Sequence, residues 1–435
     1  MANSMEQYSK AFEALKRGKA ATDASWVRRL REEAMISFVE KGFPTTRDEA
    51  WRYTDLTAIR EAAFAFEAGN TFLPSDRIEE LQKEHGGNLI VFLNGRYVAE
   101  ASLLSDPVEV VDLRKALEAM PELESHCGSV ADFKQNAFVA LNTAFLGEGV
   151  LIRISEGQIL KAPLRLEFIA DPVNAGAIFQ PRVLILAGKR SEGTLVEYYG
   201  AANNKSYFMN AVTEAVLGEG ASIHHCKIQN EGKTAFHIGM TGVSQEKGSH
   251  FSSWALSTGS QLMRNDCRVE LAKEEAVCVL NGLYLGDGDQ HLDQQTFVDH
   301  RKPAGKSRQF FKGLMAGNSR GVFSGKVLVR QGAAQTDATQ TNKNLLLSDG
   351  AKVDTQPQLE IDADDVKCSH GAAVGQLRED AIFYLRSRGI DERDAGRMLA
   401  RGFVQEVIDA ASQDLFRKEL EELVNRKLEA QFCQR

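Results

Sequence analysis

What the chain lacks narrows its function first. No stretch reaches the roughly 18 consecutive apolar residues of a membrane-spanning helix, and the N-terminal MANSMEQYSKAFEALKRGKA has no apolar core of the kind a secretory signal needs. The expectation is a soluble, cytoplasmic protein with no membrane partner. No CxxC pair is present, and the six cysteines (Cys127, Cys226, Cys267, Cys278, Cys368 and Cys433) are widely spaced. Without an export signal such thiols are expected to stay reduced and to serve mostly as small core residues. There is no excess of positive charge either. The net charge is −8, with Lys and Arg scattered among Asp and Glu, so the concentrated basic face that a nucleic acid needs is not expected.

A nucleotide-binding loop is also missing. Gly232-Lys233-Thr234 mimics the end of a P-loop, but Lys227 stands where its first glycine belongs. Gly325-Lys326 fails at Arg320 and again at Val327, where a Mg²⁺-binding hydroxyl is needed. No nucleotide is expected to bind this chain, and any ATPase would be a partner.

What is present falls into three regions, 1–148, 149–374 and 375–435. In the first, Trp26, Val27, Leu30, Ala34 and Phe38 lie on a helical stripe, with a second helical stretch starting near Asp48. Asn88 to Val98 reads as a hairpin turning at Asn94-Gly95; Asp112 to Met120 and Phe133 to Phe145 read as helices. In the second region the period becomes two: Leu164, Leu166 and Phe168 alternate with Arg165 and Glu167, and Cys267, Val269 and Leu271 with Arg268 and Glu270. Glycine turns recur at Gly218-Glu219-Gly220, Gly259, Gly286-Asp287-Gly288, Gly332 and Gly350, several at intervals of roughly 16 to 18 residues. A sandwich, a barrel and a β-helix all fit short strands with no helices between them, and the recurrent unit favours the β-helix, whose coils stack on one continuous core. The third region is helical again. Leu377, Ala381, Tyr384 and Leu385 share a face, and Gly389 can end that helix. Asp391 can cap the next, with Ala395, Met398, Leu399 and Phe403 on its buried side. A third helix from about Ser412 uses Leu415, Leu420, Leu423, Val424 and Leu428. Such a tail either packs on the body of the chain or offers a docking surface.

Candidate chemistry is sparse. The segment Gly286 to His300 gathers Asp289, Asp293 and Asp299, which could act as acid and base in a β-helical polysaccharide lyase or hydrolase; its plainer reading is a polar turn and a strand. His224 and Cys226 share a strand face, but so does Ile228, which favours a buried thiol. Cys368 and His370 project together from an extended segment, and both can ligate iron or zinc. They make half a site, because clusters and zinc usually take about four donors. Val366 has the same parity and favours burial of Cys368, so either another chain completes the site or no site exists. A metal-free β-helical interaction protein remains an alternative.

The run from Leu345 to Phe403, LLLSDGAKVDTQPQLEIDADDVKCSHGAAVGQLREDAIFYLRSRGIDERDAGRMLARGF, closely resembles the C-terminal signature of the SufB/SufD family. The segment Glu49 to Leu56, EAWRYTDL, resembles its SufD-type N-terminal segment. The resemblance implies a mainly β fold, a right-handed parallel β-helix flanked by helical regions. It implies a non-catalytic subunit of the SufBCD iron–sulfur cluster assembly scaffold. Such a subunit pairs with SufB through the β-helices, docks the ATPase SufC on its C-terminal helices, and depends on a sulfur donor system acting through SufB. It implies that His370, with Cys368 as neighbour, contributes to a transient iron–sulfur cluster or iron at the SufB junction, while the main sulfur-accepting cysteine belongs to SufB. Tyr384, Leu385, Met398 and Phe403 are the residues expected to meet SufC, and a homodimer of the isolated chain is a further possibility.

Overall fold

The computed structural model describes residues 2–18, 20–62, 64–66, 72–411 and 414–433; the side chains of Leu415 and Cys433 lie outside the described set. The alternation in the middle of the chain forms long strands that stack in parallel register. Ser222 pairs with His250, and the same column continues through Val277, Lys306, Asp337 and Lys367. One coil therefore takes about thirty residues, and the irregular glycine interval in the sequence is the half-coil. The result is a parallel β-helix of two facing ten-stranded sheets. Its corners stack as closely as its strands. At Gly317 (φ +65°) a Cβ would stand 2.8 Å from the Gly288 backbone nitrogen of the preceding corner, so only glycine fits there.

Inward residues such as Ile223, Phe251, Met263, Leu280, Leu292 and Phe323 form the central core. The outer faces are apolar too, and each is covered. On one sheet Phe208, Phe236, Ile238 and Leu262 pack against Phe38, Trp51 and Phe138 of the N-terminal region. On the other, Cys226, Ile228, Trp254, Leu283 and Leu314 lie beneath the tail. Burying Cys226 thus fits its strand parity, but the cover is the tail and not the interior of the β-helix.

The two ends of the β-helix differ. At the first, Asn88–Leu93 pairs in parallel with Leu164–Ala170, then turns through Asn94 (φ 51°) and Gly95 (φ 80°) into the antiparallel Arg96–Leu103. Glu109–Asp112 runs antiparallel to Gly149–Ile154 and closes the other sheet. The region 1–148, read as helical and mixed, therefore supplies the cap of both sheets. At the far end, Lys352–Ile361 and Lys367–Gln376 are each last in their sheet, and no strand among the described residues follows them.

The EAWRYTDL segment makes one turn of 3₁₀ helix, Glu49–Trp51, in place of the longer helix expected from Asp48. Its role is attachment. The Arg264 guanidinium lies 3.7 Å from the Trp51 ring centroid, donates to the Ala50 carbonyl, and pairs with Asp266 and Asp293, while Thr54 Oγ1 donates to Asp293. Removing the guanidinium would leave the buried Asp293 and the half-buried Asp266 without their cation, a loss of about 3 to 5 kcal/mol.

The tail forms Glu379–Ser387, Glu392–Ile408 and Asp414–Cys433. Gly389 (φ 88°) follows the first helix, and the Asp391 carboxylate accepts from the Asp394 N–H at the start of the second, as expected. The buried stripe of the second helix is Ala395, Gly396, Ala400, Val404, Val407 and Ile408. Met398, expected on that side, faces solvent at 51% exposure; Phe403 is half-buried against the sheet.

Two predictions test this packing. Arg264→Met should lower the urea midpoint sharply, whereas Arg320→Met, at a half-exposed pair with Asp354, should change it little. The second concerns acid. His300 is fully buried, with Nε2 2.9 Å from Ser307 Oγ, and burial pushes its pKa down from 6.5 to about 4. As pH falls from 6.5 toward 4, the unfolded chain takes up a proton that the folded chain refuses, so stability drops by about 3 kcal/mol. His300→Gln should flatten that slope in urea unfolding across the same window; an unchanged slope would assign the acid sensitivity to other groups.

Candidate functional site at the open end

Parity and position together set the character of the last coil. Lys367–Gln376 stacks on Asp337–Leu346 with Cys368 over Ala338, His370 over Gln340, Ala372 over Asn342 and Val374 over Asn344. These four residues continue the inward-facing columns, yet among the described residues no further coil covers them. His370 is exposed. Cys368 is half-buried, packed with Val366, Leu359 and Ala363 against Val327, Val329 and Ala338, as the parity of Val366 indicated. Burial raises the Cys368 thiol above its ordinary value, only partly offset by a hydrogen bond with the Ala338 backbone. A thiol so held keeps its proton at neutral pH and ligates poorly until it loses it. Among the described residues no group of three or more His, Cys, Asp and Glu side chains is arranged to hold a metal. Cys368 and His370 stand two residues apart on the inward parity of that last strand, the first half-buried and the second exposed.

The other sequence candidates are committed elsewhere. Asp293 pairs with Arg264, Asp299 with Arg301 and Arg330, and Asp289 accepts from the Asn318 amide in a turn. The three carboxylates therefore do not converge as a lyase or hydrolase would require. His224 faces outward and its Nδ1 is 2.7 Å from Ser252 Oγ. Gly232-Lys233-Thr234 sits in a turn between two strands and Gly325-Lys326 lies inside the strand Arg320–Val329, so neither opens a helix as a P-loop must. A cleft of about 1140 Å³ runs along the seam between the tail and the sheet, where Arg165 already pairs with Glu167 and Glu419. Among the described residues no helix is long and apolar enough to cross a membrane.

The sequence reading missed a buried polar cluster inside the β-helix. Burial would raise the Glu197 carboxyl, but His225, Lys227 and the Thr213 hydroxyl bring it down to about 2. Glu231 pairs with His237 at 2.8 Å and accepts from Tyr207 and Gln229. The signal was available in Ile223-x-His225-x-Lys227-x-Gln229, where polar residues occupy the inward parity. It also passed over Phe383, 74% exposed beside Tyr384 at 57% on the first tail helix.

The described residues thus form a parallel β-helix with one end closed by antiparallel strands, two terminal strands that no further strand follows at the other, and helical cover on both faces. Comparison with known proteins gives the family. Residues 168–403 match the SUF system FeS cluster assembly SufBD core domain, and residues 2–166 match the SufBD protein N-terminal region. The chain belongs to the SufBD family of the SUF iron–sulfur cluster assembly system. It is 32% identical to an iron–sulfur cluster assembly SufBD family protein of Synechocystis, over 87% of this chain and 90% of the relative. It is 28% identical to the iron–sulfur cluster assembly protein SufD of Escherichia coli, over 98% and 97% of the two chains. A chloroplastic Arabidopsis thaliana protein, ABCI7, is 30% identical over 88% and 82%.

The tail geometry separates surface from packing. Phe403→Asp should destabilise the chain, because Phe403 packs on the sheet with the Lys312 ammonium 4.4 Å from its ring centroid. Phe383→Ser and Met398→Ser should leave the thermal midpoint within about 2 °C of wild type, since surface changes usually cost under ~0.5 kcal/mol. A large fall in either surface variant would place that residue in the core of the tail.

Proposed function

We propose that this chain is a SufD-type scaffold subunit. Its open coil pairs with a SufB subunit, its first two tail helices dock the SufC ATPase, and His370, with Cys368 beside it, contributes to a transient iron–sulfur cluster or iron at the SufB junction. The observation that carries this reading is the asymmetry of the β-helix: the first end is closed by antiparallel strands, while among the described residues the last coil leaves two strand edges unpaired with an imidazole at its rim. Unpaired edges are templates for a further strand, and a half-set of donors beside them is useful only if the added chain brings the rest. Pro357 in Lys352–Ile361 fits an edge position, where a missing N–H is tolerated. A second copy of this chain could take the same edges, giving a homodimer in isolation.

The exposed Phe383, Tyr384 and Met398 support the docking half of the reading, because clustered large apolar side chains on a soluble helix surface usually mark a contact. Leu385 and Phe403, half-buried, would shape that surface from beneath. Nucleotide binding and hydrolysis belong to the docked ATPase in this reading, and sulfur reaches the junction through SufB. Because its thiol is held protonated, Cys368 is the poorer of the two donors, and His370 is the one to test.

The test is to coexpress the chain with SufB and SufC, purify the complex, and reconstitute it anaerobically with iron and sulfide. His370→Ala should leave the complex intact and lower the cluster absorbance at least severalfold, while Cys368→Ala should lower it less. Undiminished absorbance in His370→Ala would reduce this chain to a structural subunit, and failure to form any complex would overturn the pairing.

A further inference from the structure

Beneath His370 the inward column contains an amide pair held in one orientation. Thr296 Oγ1 donates to Gln309 Oε1 at 2.6 Å, and Gln340 Nε2 donates to the same oxygen at 3.3 Å. That leaves Gln309 Nε2 and Gln340 Oε1 buried and without a partner, and of the two residues Gln340 is the one that lies under the last coil. The amide lies over Gly325 of the facing sheet, where a Cβ would fall 1.8 Å from Gln340 Nε2 and 2.9 Å from Thr296 Oγ1. Gly325 is thus a cradle cut to the shape of this side chain, and its absent Cβ is what lets the amide lie there. The residue directly above Gln340 in the column is His370, one strand spacing away, about 4.8 Å.

We propose that Gln340 is a positioning residue for His370: its buried Oε1 accepts the imidazole N–H and so fixes the ring in one tautomer, with the other nitrogen carrying its lone pair toward the open end. The inference rests on reading His370 as the functional donor of the last coil. A buried carbonyl oxygen without a partner is costly. Of its two neighbours in the column, Gln309 below already meets Gln340 through its own oxygen, and the one above is an exposed imidazole that can reach it by a change of rotamer. A ligating imidazole is ordinarily held this way, by an acceptor on its second nitrogen that sets tautomer and ring orientation together. The Thr296–Gln309 pair holds Gln340 Nε2 and keeps its oxygen as the end offered to the ring.

The experiment labels the histidines of the full chain with ¹⁵N and reads the ring-nitrogen shifts, His370 being assigned from the spectrum of His370→Gln. Wild type should show His370 as a single neutral tautomer at pH above its titration. Gln340→Met, which keeps the volume but removes the acceptor, should give a mixture of both tautomers. Gly325→Ala, which displaces the amide while leaving the chemistry of both Gln340 and His370 unaltered, should do the same, and Gln340→Glu should restore the single form. Circular dichroism and the urea midpoint establish that each variant is folded, and two independent routes to the same loss keep the test open if one fails to fold. A His370 tautomer ratio unchanged in both folded variants would overturn the proposal and assign the Gln340 oxygen to water. Cluster yield in the assembled complex separates this from the functional reading: a tautomer that responds to Gln340 while His370→Ala leaves the cluster intact would sink the donor role and keep the positioning contact.

Discussion

Everything in this molecule depends on the parallel register between successive coils. Because each strand pairs residue for residue with the strand one coil earlier, a side chain's place is set by its parity and its coil number. Parity decides inside or outside. Coil number decides whether an inward side chain has neighbours on both sides or on one. A column of inward residues is therefore sealed along its length and accessible only where the stacking stops.

That constraint explains why so many polar groups can sit inside without forming an active site. Glu197, His225, Lys227, Glu231 and His237 are all buried between coils above and below them. Their charges are met by one another and by the Tyr199, Tyr207 and Thr213 hydroxyls. Such a cluster contributes little net stability over an apolar replacement. It does penalise a slip by one residue, which would turn each charge to the wrong face. The two helical covers stabilise the same register from outside, the N-terminal segment through Arg264 and the tail through Trp254, whose indole N–H donates to the Val407 carbonyl.

Much of this could be read directly from residue order. The period-two alternation gave the strands, the Asn94-Gly95 turn gave the hairpin, and Gly389 and Asp391 gave the helix boundary. The β-helix itself was one of three architectures until the long C-terminal signature selected it, because alternation reports which face is buried and not which strand lies next. Met398 was misplaced for a related reason. Helical periodicity fixes a stripe, but the first half of the stripe of the second tail helix is built from small residues (Ala395, Gly396 and Ala400), and at Gly396 a Cβ would stand 3.0 Å from the Phe432 ring of the third tail helix. A large side chain such as Met398 looks like the better core residue in a sequence and is the worse one at a close contact. The capping role of the first region was hidden likewise, since pairing between Asn88–Leu93 and Leu164–Ala170 is a long-range fact with no local mark.

The same constraint accounts for where Cys368 and His370 stand. A donor on an outer face would need its own pocket, and here both faces are largely spent on helical cover. A donor inside an earlier coil would have strands about 4.8 Å away on either side, leaving no room for an ion and its remaining ligands. Only the last coil offers an inward side chain that is oriented by the column beneath it and still reachable from above. Cys368 lies farther into the apolar end of that coil, against Val327 and Val329, and is held as a packed thiol; His370 lies one step along, over an amide and not over a methyl, and is exposed. The difference between two residues separated by a single serine thus follows from what occupies the coil below each of them.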